Sequence, residues 1–139
     1  MSQISDEELL AKAYAATENS YVPYSGFPVG AALLLDDGSV VTGCNVENAS
    51  YGLTNCAERT AVFRMVAEQG AERRIEAVAI VGAKAAPCHP CGACRQVLHE
   101  FGCKRVIVES ERPAEGQLGA PVSIDFEKIL PYAFGPEDL

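Results

Sequence analysis

Two short stretches carry residues that can do chemistry together: Cys56-Ala57-Glu58 and Pro90-Cys91-Gly92-Ala93-Cys94. Cys91 and Cys94 are three apart, so on a helix they share a face and can grip one ion. Each stretch falls at the predicted start of a helix, where backbone N–H groups and the macrodipole favour the thiolate that a metal needs. Cys56 supplies a third sulfur. Three protein ligands leave a fourth zinc position open for water, a catalytic arrangement; a fourth ligand closes the site. Zinc lowers the pKa of such a water to roughly 7, and Glu58, two residues after a ligand, is placed to take its proton and return it to a substrate. The expected cofactor is one Zn2+ per chain. A structural zinc module leaves Glu58 and the missing fourth ligand without a purpose.

The elements that must position these groups follow from periodicity. Ser5-Asp6-Glu7-Glu8 is a capping box, and Leu9, Leu10, Ala13 and Tyr14 follow at helical spacing, predicting a helix to about residue 19. Residues 21–28, with two prolines and a glycine, read as a loop. The apolar runs 29–35 and 40–46 are joined by Asp36-Asp37-Gly38, a hairpin signal. Residues 55–69 carry Ala57, Ala61, Val62, Met65 and Val66 at helical spacing and stop at Gly70. A buried strand over 75–81, a loop over 83–90 and a short helix over 92–101 come next. A strand over 105–108, a polar loop with Pro113, Gly116 and Gly119, a short strand near 122–124 and a short helix over 126–130 complete the chain. The order αββαβαββα predicts a mixed sheet with helices on both faces. A length of 139 residues suits a single domain over 1–139 with one substantial core.

Composition narrows the partners. The net charge of −8 offers no basic patch to displace the counterions of a polyanion, so a small neutral substrate is expected in place of nucleic acid. The longest apolar stretch, Val29–Leu35, is far too short for a bilayer, and the N-terminus is acidic where a signal peptide is basic. No membrane partner is expected, and the setting expected is cytoplasmic. Six cysteines without a secreted context read as metal ligands or redox groups before disulfides.

Cys-x-Glu followed by Pro-Cys-x-x-Cys is the zinc deaminase signature with cysteine in the first ligand place. The likeness extends beyond it. Pro23-Tyr24-Ser25-Gly26-Phe27-Pro28-Val29-Gly30-Ala31-Ala32, Gly43-Cys44-Asn45-Val46-Glu47-Asn48-Ala49, Asn55-Cys56-Ala57-Glu58-Arg59-Thr60-Ala61, Pro90-Cys91-Gly92-Ala93-Cys94-Arg95-Gln96 and Leu130-Pro131-Tyr132-Ala133-Phe134 resemble the cytidine deaminases. The likeness is to their short, homotetrameric class with three cysteine ligands. It implies a three-layer α/β/α fold with a mixed five-stranded sheet. It also implies hydrolysis of cytidine and 2′-deoxycytidine to the uridine products and ammonia: activated water attacks C4 while Glu58 protonates N3. By position it assigns Cys56, Cys91 and Cys94 to zinc, and Asn45 and Glu47 to the sugar hydroxyls. Phe27 is assigned to stacking on the pyrimidine, and Ala57 to the substrate contacts. Tyr51 and Phe134 are assigned to a neighbouring subunit's pocket, which puts the active sites at interfaces of a homotetramer. Arg59 is assigned to a ligand thiolate; three thiolates outweigh the +2 of zinc, and a nearby cation restores some of its acidity.

Other readings of the same residues remain open at this point. Cys88 lies three before Cys91 and competes with Cys94 on spacing, although Pro90 bends the chain between them. A redox pair at Cys91 and Cys94 does not explain Cys56-Ala57-Glu58. Cys44 and Cys103 read as small buried hydrophobes, and His89 and His99 have no partner spacing, His89 being near enough to the site to support it. Phe27, Tyr51 and Phe134 suit packing, and Glu47 a solvated surface. Among enzymes, the rival is a deaminase of another aminopyrimidine or of a cytosine-containing antibiotic.

Overall fold

A computed structural model describes residues 3–114 and 116–139. Helix α1 (Asp6–Ala16) begins at the expected capping box: Ser5 Oγ accepts from the Glu8 N–H at 3.1 Å, and Glu8 Oε1 accepts from the Ser5 N–H at 3.3 Å. A 3-10 turn (Thr17–Asn19) extends it to the predicted end. Strands β1 (Val29–Leu35) and β2 (Val40–Cys44) form the predicted hairpin. Its turn closes through Gly38, whose φ of 87° places it in the left-handed region and whose N–H donates to Leu35 O at 2.9 Å.

Helices α2 (Ala57–Gln69) and α3 (Gly92–Glu100) flank β3 (Ile75–Gly82), and β4 (Arg105–Glu109) and β5 (Pro121–Asp125) follow. The sheet order is β2-β1-β3-β4-β5, with β3 and β4 parallel and the other pairs antiparallel. This is the expected mixed five-stranded sheet.

Both faces of β1 are covered, which is why it reads as an unbroken apolar run. Ala31, Leu33 and Leu35 pack in one core with Ala57, Ala61 and Met65 of α2 and Leu98 of α3. Ala32 and Leu34 pack on the other face with Leu9, Leu10 and Ala13 of α1. Helix α2 lies so close to β2 that a Cβ on Gly43 would fall 2.5 Å from Ala61 N and 2.6 Å from Ala57 O. That approach fixes the height of the α2 N-terminus, where Cys56 and Glu58 stand.

Three expected elements change their bounds by two residues, and one expected burial changes. The second helix starts at Ala57, not at residue 55, because Asn55 is held extended by a pair of backbone hydrogen bonds with Val46. Strand β2 ends at Cys44, since Val46 leaves the hairpin to bridge both Tyr21 and Asn55. The final helix shrinks to a 3-10 turn (Phe126–Lys128): the N–H groups of Ile129 and Leu130 both donate to Phe126 O, and Pro131 cannot continue the ladder. Cys44, expected in the core, is only half-buried at that strand end.

The polar loop after β4 holds a feature that its composition hides. Glu109 is 2% exposed, and both of its oxygens accept from Arg112, at 2.7 and 2.9 Å. Oε2 also accepts from the Gly119 N–H, while Arg112 donates to the carbonyls of Gly82 and Ala83. One buried ion pair thus ties the loop to the end of β3.

Candidate metal centre and active site

Cys56 is the N-cap of α2, and Cys91 is the N-cap of α3; both have extended backbone, and neither sulfur caps its own helix. Their Sγ atoms are 3.7 Å apart. Buried Cys94, one turn into α3, completes a set whose sulfurs all lie within 4.8 Å of one another. Among the described residues this is the one group of three or more metal-binding side chains close enough to share an ion. The donors fit zinc: a tetrahedron with Zn–S bonds of about 2.3 Å has edges of about 3.8 Å. Cys56 and Cys91 stand at the N-termini of two helices, where the macrodipole favours thiolates.

Arg59, one turn along α2, donates from Nη2 to Cys56 Sγ at 3.3 Å. Hydrogen bonds from Cys94 and Arg59 bring the Cys56 thiol down to about 5, against the cost of burial. Cys94 is raised, chiefly because its proton is shared with Cys56. The two sulfurs thus share one proton, with the negative charge favoured on Cys56. Arg59 Nε is buried and has no hydrogen-bond partner among the described residues.

Cys88 does not join the group. It is half-buried against the core, and burial, followed by the nearby Glu58 charge, pushes its thiol up to about 11. Among the described residues it is not one of the sulfurs that lie within 4.8 Å of one another. His89 is exposed, and His99 instead bonds Glu137 at 3.0 Å and stacks on Phe126.

Glu58 is 4% exposed and occupies the first turn of α2. Burial raises its carboxyl to about 7; its own backbone N–H opposes this, the Cys56 thiolate adds to it, and Cys94 and Arg59 pull it back. A carboxyl balanced between two protonation states beside a metal site can accept and return a proton. Ala57 is fully buried in the core under this turn.

Of the remaining candidates, Phe27 stands on the 21–28 loop and Asn45, Glu47 and Tyr51 on the segment after β2. The Phe27 ring lies over Gly82, so closely that a Cβ there would be 3.0 Å from its Cε1 and Cζ. Asn45 Nδ2 donates to Phe27 O and its Oδ1 accepts from the Val29 N–H, both at 3.0 Å, so the carboxamide ties the loop to β1. Glu47, Tyr24, Ser25, Tyr51 and Thr54 line a hollow of about 390 Å³. Tyr51 meets Tyr24 edge-on at 5.9 Å. Phe134 lies elsewhere, its carbonyl held by Gln96 Nε2 at 2.7 Å on the outer face of α3. A larger hollow of about 710 Å³ near His99, Phe126 and Tyr132 contains none of the metal cysteines.

Sequence reasoning missed two supports. Arg95 donates to Pro90 O at 2.8 Å and to Ile129 O at 2.7 Å, pinning the residue before Cys91 to the C-terminal turn. Ser25 bonds Glu47 across 22 residues. Both lie inside the motif segments, but their partners are distant in sequence.

Three clustered cysteines that would hold zinc with a position to spare, a buried carboxyl beside them and an α/β/α frame define a zinc hydrolase class of site. Comparison with known proteins gives the family. Residues 3–110 match the model described as the cytidine and deoxycytidylate deaminase zinc-binding region, and the chain belongs to that family. It is 47% identical over 136 residues to a cytidine deaminase of Halalkalibacterium halodurans, covering 96% of this chain and 98% of that protein. It is 46% identical over 133 residues to a cytidine deaminase of Sporosarcina psychrophila, covering 96% and 93%. The crystal structure of a cytidine deaminase from Burkholderia pseudomallei superposes with a TM-score of 0.80 at 44% identity, over 94% of this chain and all of that one.

Proposed function

We propose that the chain, as a single domain, hydrolyses cytidine and 2′-deoxycytidine to uridine and 2′-deoxyuridine with release of ammonia, a step of pyrimidine salvage. The observation that carries this reading is the buried Glu58 carboxyl beside the Cys56–Cys91–Cys94 cluster. Zinc held by those cysteines supplies a Lewis acid and a water acidic enough to act at neutral pH. Glu58 takes the proton of the attacking water and delivers it to N3 as the C4–O bond forms. It then moves the remaining hydroxyl proton to the amino group, the C4–N bond breaks and ammonia leaves. Arg59 and the two helix N-termini offset the excess negative charge of three thiolates.

Phe27 stacks on the base, Asn45 and Glu47 hold the sugar hydroxyls, and Ala57 is a further substrate contact. The relatives named cytidine deaminase, similar over nearly the whole chain, favour a cytosine nucleoside over other aminopyrimidines. The test is the ultraviolet spectrum of cytidine, 2′-deoxycytidine and cytosine incubated with the zinc-loaded protein. Both nucleosides are expected to shift toward the uridine spectrum. A protein that holds zinc and leaves all three unchanged supports a structural module or another substrate.

The working unit is a homotetramer in which Tyr51 and Phe134 complete a neighbouring copy's pocket. The support is their exposure, 74% and 61%, which is too great for core packing. Activity per chain is expected to fall as the protein is diluted through dissociation, with zinc retained. Activity per chain that stays constant while light scattering reports dissociation contradicts shared sites. The setting is the cytoplasm, where six free cysteines stay reduced; among the described residues no helix is long and apolar enough to cross a membrane.

A further inference from the structure

Glu47 stands just beyond β2, in the extended segment where Val46 bridges Tyr21 and Asn55, and its own N–H donates to Tyr21 O at 2.8 Å. Its side chain turns back onto the 21–28 loop. Oε1 accepts from the N–H groups of Tyr24, at 3.0 Å, and Ser25, at 3.1 Å. Oε2 accepts from the Ser25 hydroxyl at 2.5 Å. That hydroxyl also accepts from the Phe27 N–H at 3.0 Å. Gly26, with a φ of 65° and its N–H on Val22 O, makes the reversal that lets one serine face both ways.

We propose that Ser25 is a positioning residue: its hydroxyl fixes the Glu47 carboxylate against the backbone of Phe27, so that the sugar and base contacts keep one relation. This rests on the reading of Glu47 as a sugar acceptor. Two backbone N–H groups on Oε1 alone leave the carboxylate free to swing about its last bond; a third donor on the other oxygen sets its plane. The Ser25 proton is committed to Glu47 and its oxygen to Phe27, so Ser25 acts through its neighbours. Its hydrogen bond is also the largest cause holding the Glu47 carboxyl below the usual carboxylate range.

The test is a double-mutant cycle on zinc-loaded enzyme, reading KM and kcat for cytidine in Ser25→Ala, Glu47→Ala and the double variant. Ser25→Ala is expected to raise KM about tenfold, as loss of a hydrogen bond to a charged group does, with kcat within about twofold and zinc unchanged. In the Glu47→Ala background the same change is expected to add nothing, because the interaction it breaks is already gone. Ser25→Thr, which keeps the hydroxyl, is expected to restore KM. In Ser25→Ala the Glu47 carboxyl rises toward its ordinary value, so on acidification KM is expected to start climbing at a higher pH than in the wild type.

A normal KM in Ser25→Ala, with KM raised in Glu47→Ala, overturns the proposal alone. An equal Ser25→Ala effect in both backgrounds overturns it too, since Ser25 then acts independently of Glu47. An unchanged KM in Glu47→Ala overturns the sugar reading and takes the proposal with it.

Discussion

Glu58→Gln is expected to lower kcat by about 10³–10⁴-fold while zinc content stays at the wild-type level. General acid–base catalysis is worth about 10²–10⁴-fold for one transfer. Here one side chain serves successive transfers, which places the loss at the upper end. Glutamine keeps the shape and some hydrogen bonding of Glu58 but cannot accept the proton. The fold tolerates the change, because the site already pushes the carboxyl toward its neutral form, up to about 7. Substrate binding is expected to persist, since Phe27, Asn45 and Glu47 lie on other elements. Steady-state kinetics with metal analysis checks this. Full zinc with near-normal turnover removes Glu58 from the mechanism.

The second large effect concerns the metal itself. Cys56→Ala, Cys91→Ala and Cys94→Ala are each expected to lose zinc and, with it, detectable turnover. Without the ion nothing brings the pKa of water from about 15.7 to about 7. Two thiolates also make a far weaker site than three, and the buried Cys94 cannot be replaced by solvent without opening α3. Cys88→Ala is expected to keep its zinc, because its sulfur stands outside the cluster. Arg59→Ala belongs between these extremes, as partners of metal ligands contribute about 10–100-fold in affinity. Metal analysis of the five purified variants separates the cases. Loss of zinc from Cys88→Ala with retention in Cys94→Ala reverses the assignment of the third ligand.

How much of this was legible in the chain depended on how local the cause is. The Cys91-x-x-Cys94 pair and the capping box at Ser5 are decided within one helical turn, and both stand where spacing put them. The apolar run of β1 was legible because a strand covered on both faces needs no alternation. The helix start at Ala57 was not, because the partner that keeps Asn55 extended is Val46, across the loop. The Glu109–Arg112 pair was hidden for the same reason: a polar loop reads as solvated until the sheet end closes over it. Ser25 stood inside a quoted motif, yet its meaning lies in a contact with Glu47 that only the folded loop makes. Nor does composition indicate that Tyr51 and Phe134 project outward, since aromatic residues more often report a core.

Hydrolysis at C4 of a cytosine nucleoside is tested by running the reaction in water enriched in heavy oxygen. Zinc-loaded protein, cytidine and labelled water are combined, and the nucleoside is analysed by mass spectrometry alongside an ammonia assay. Uridine carrying one heavy oxygen is expected, with one ammonia released for each uridine formed. Cytidine recovered unchanged from protein that holds its full zinc contradicts that hydrolysis.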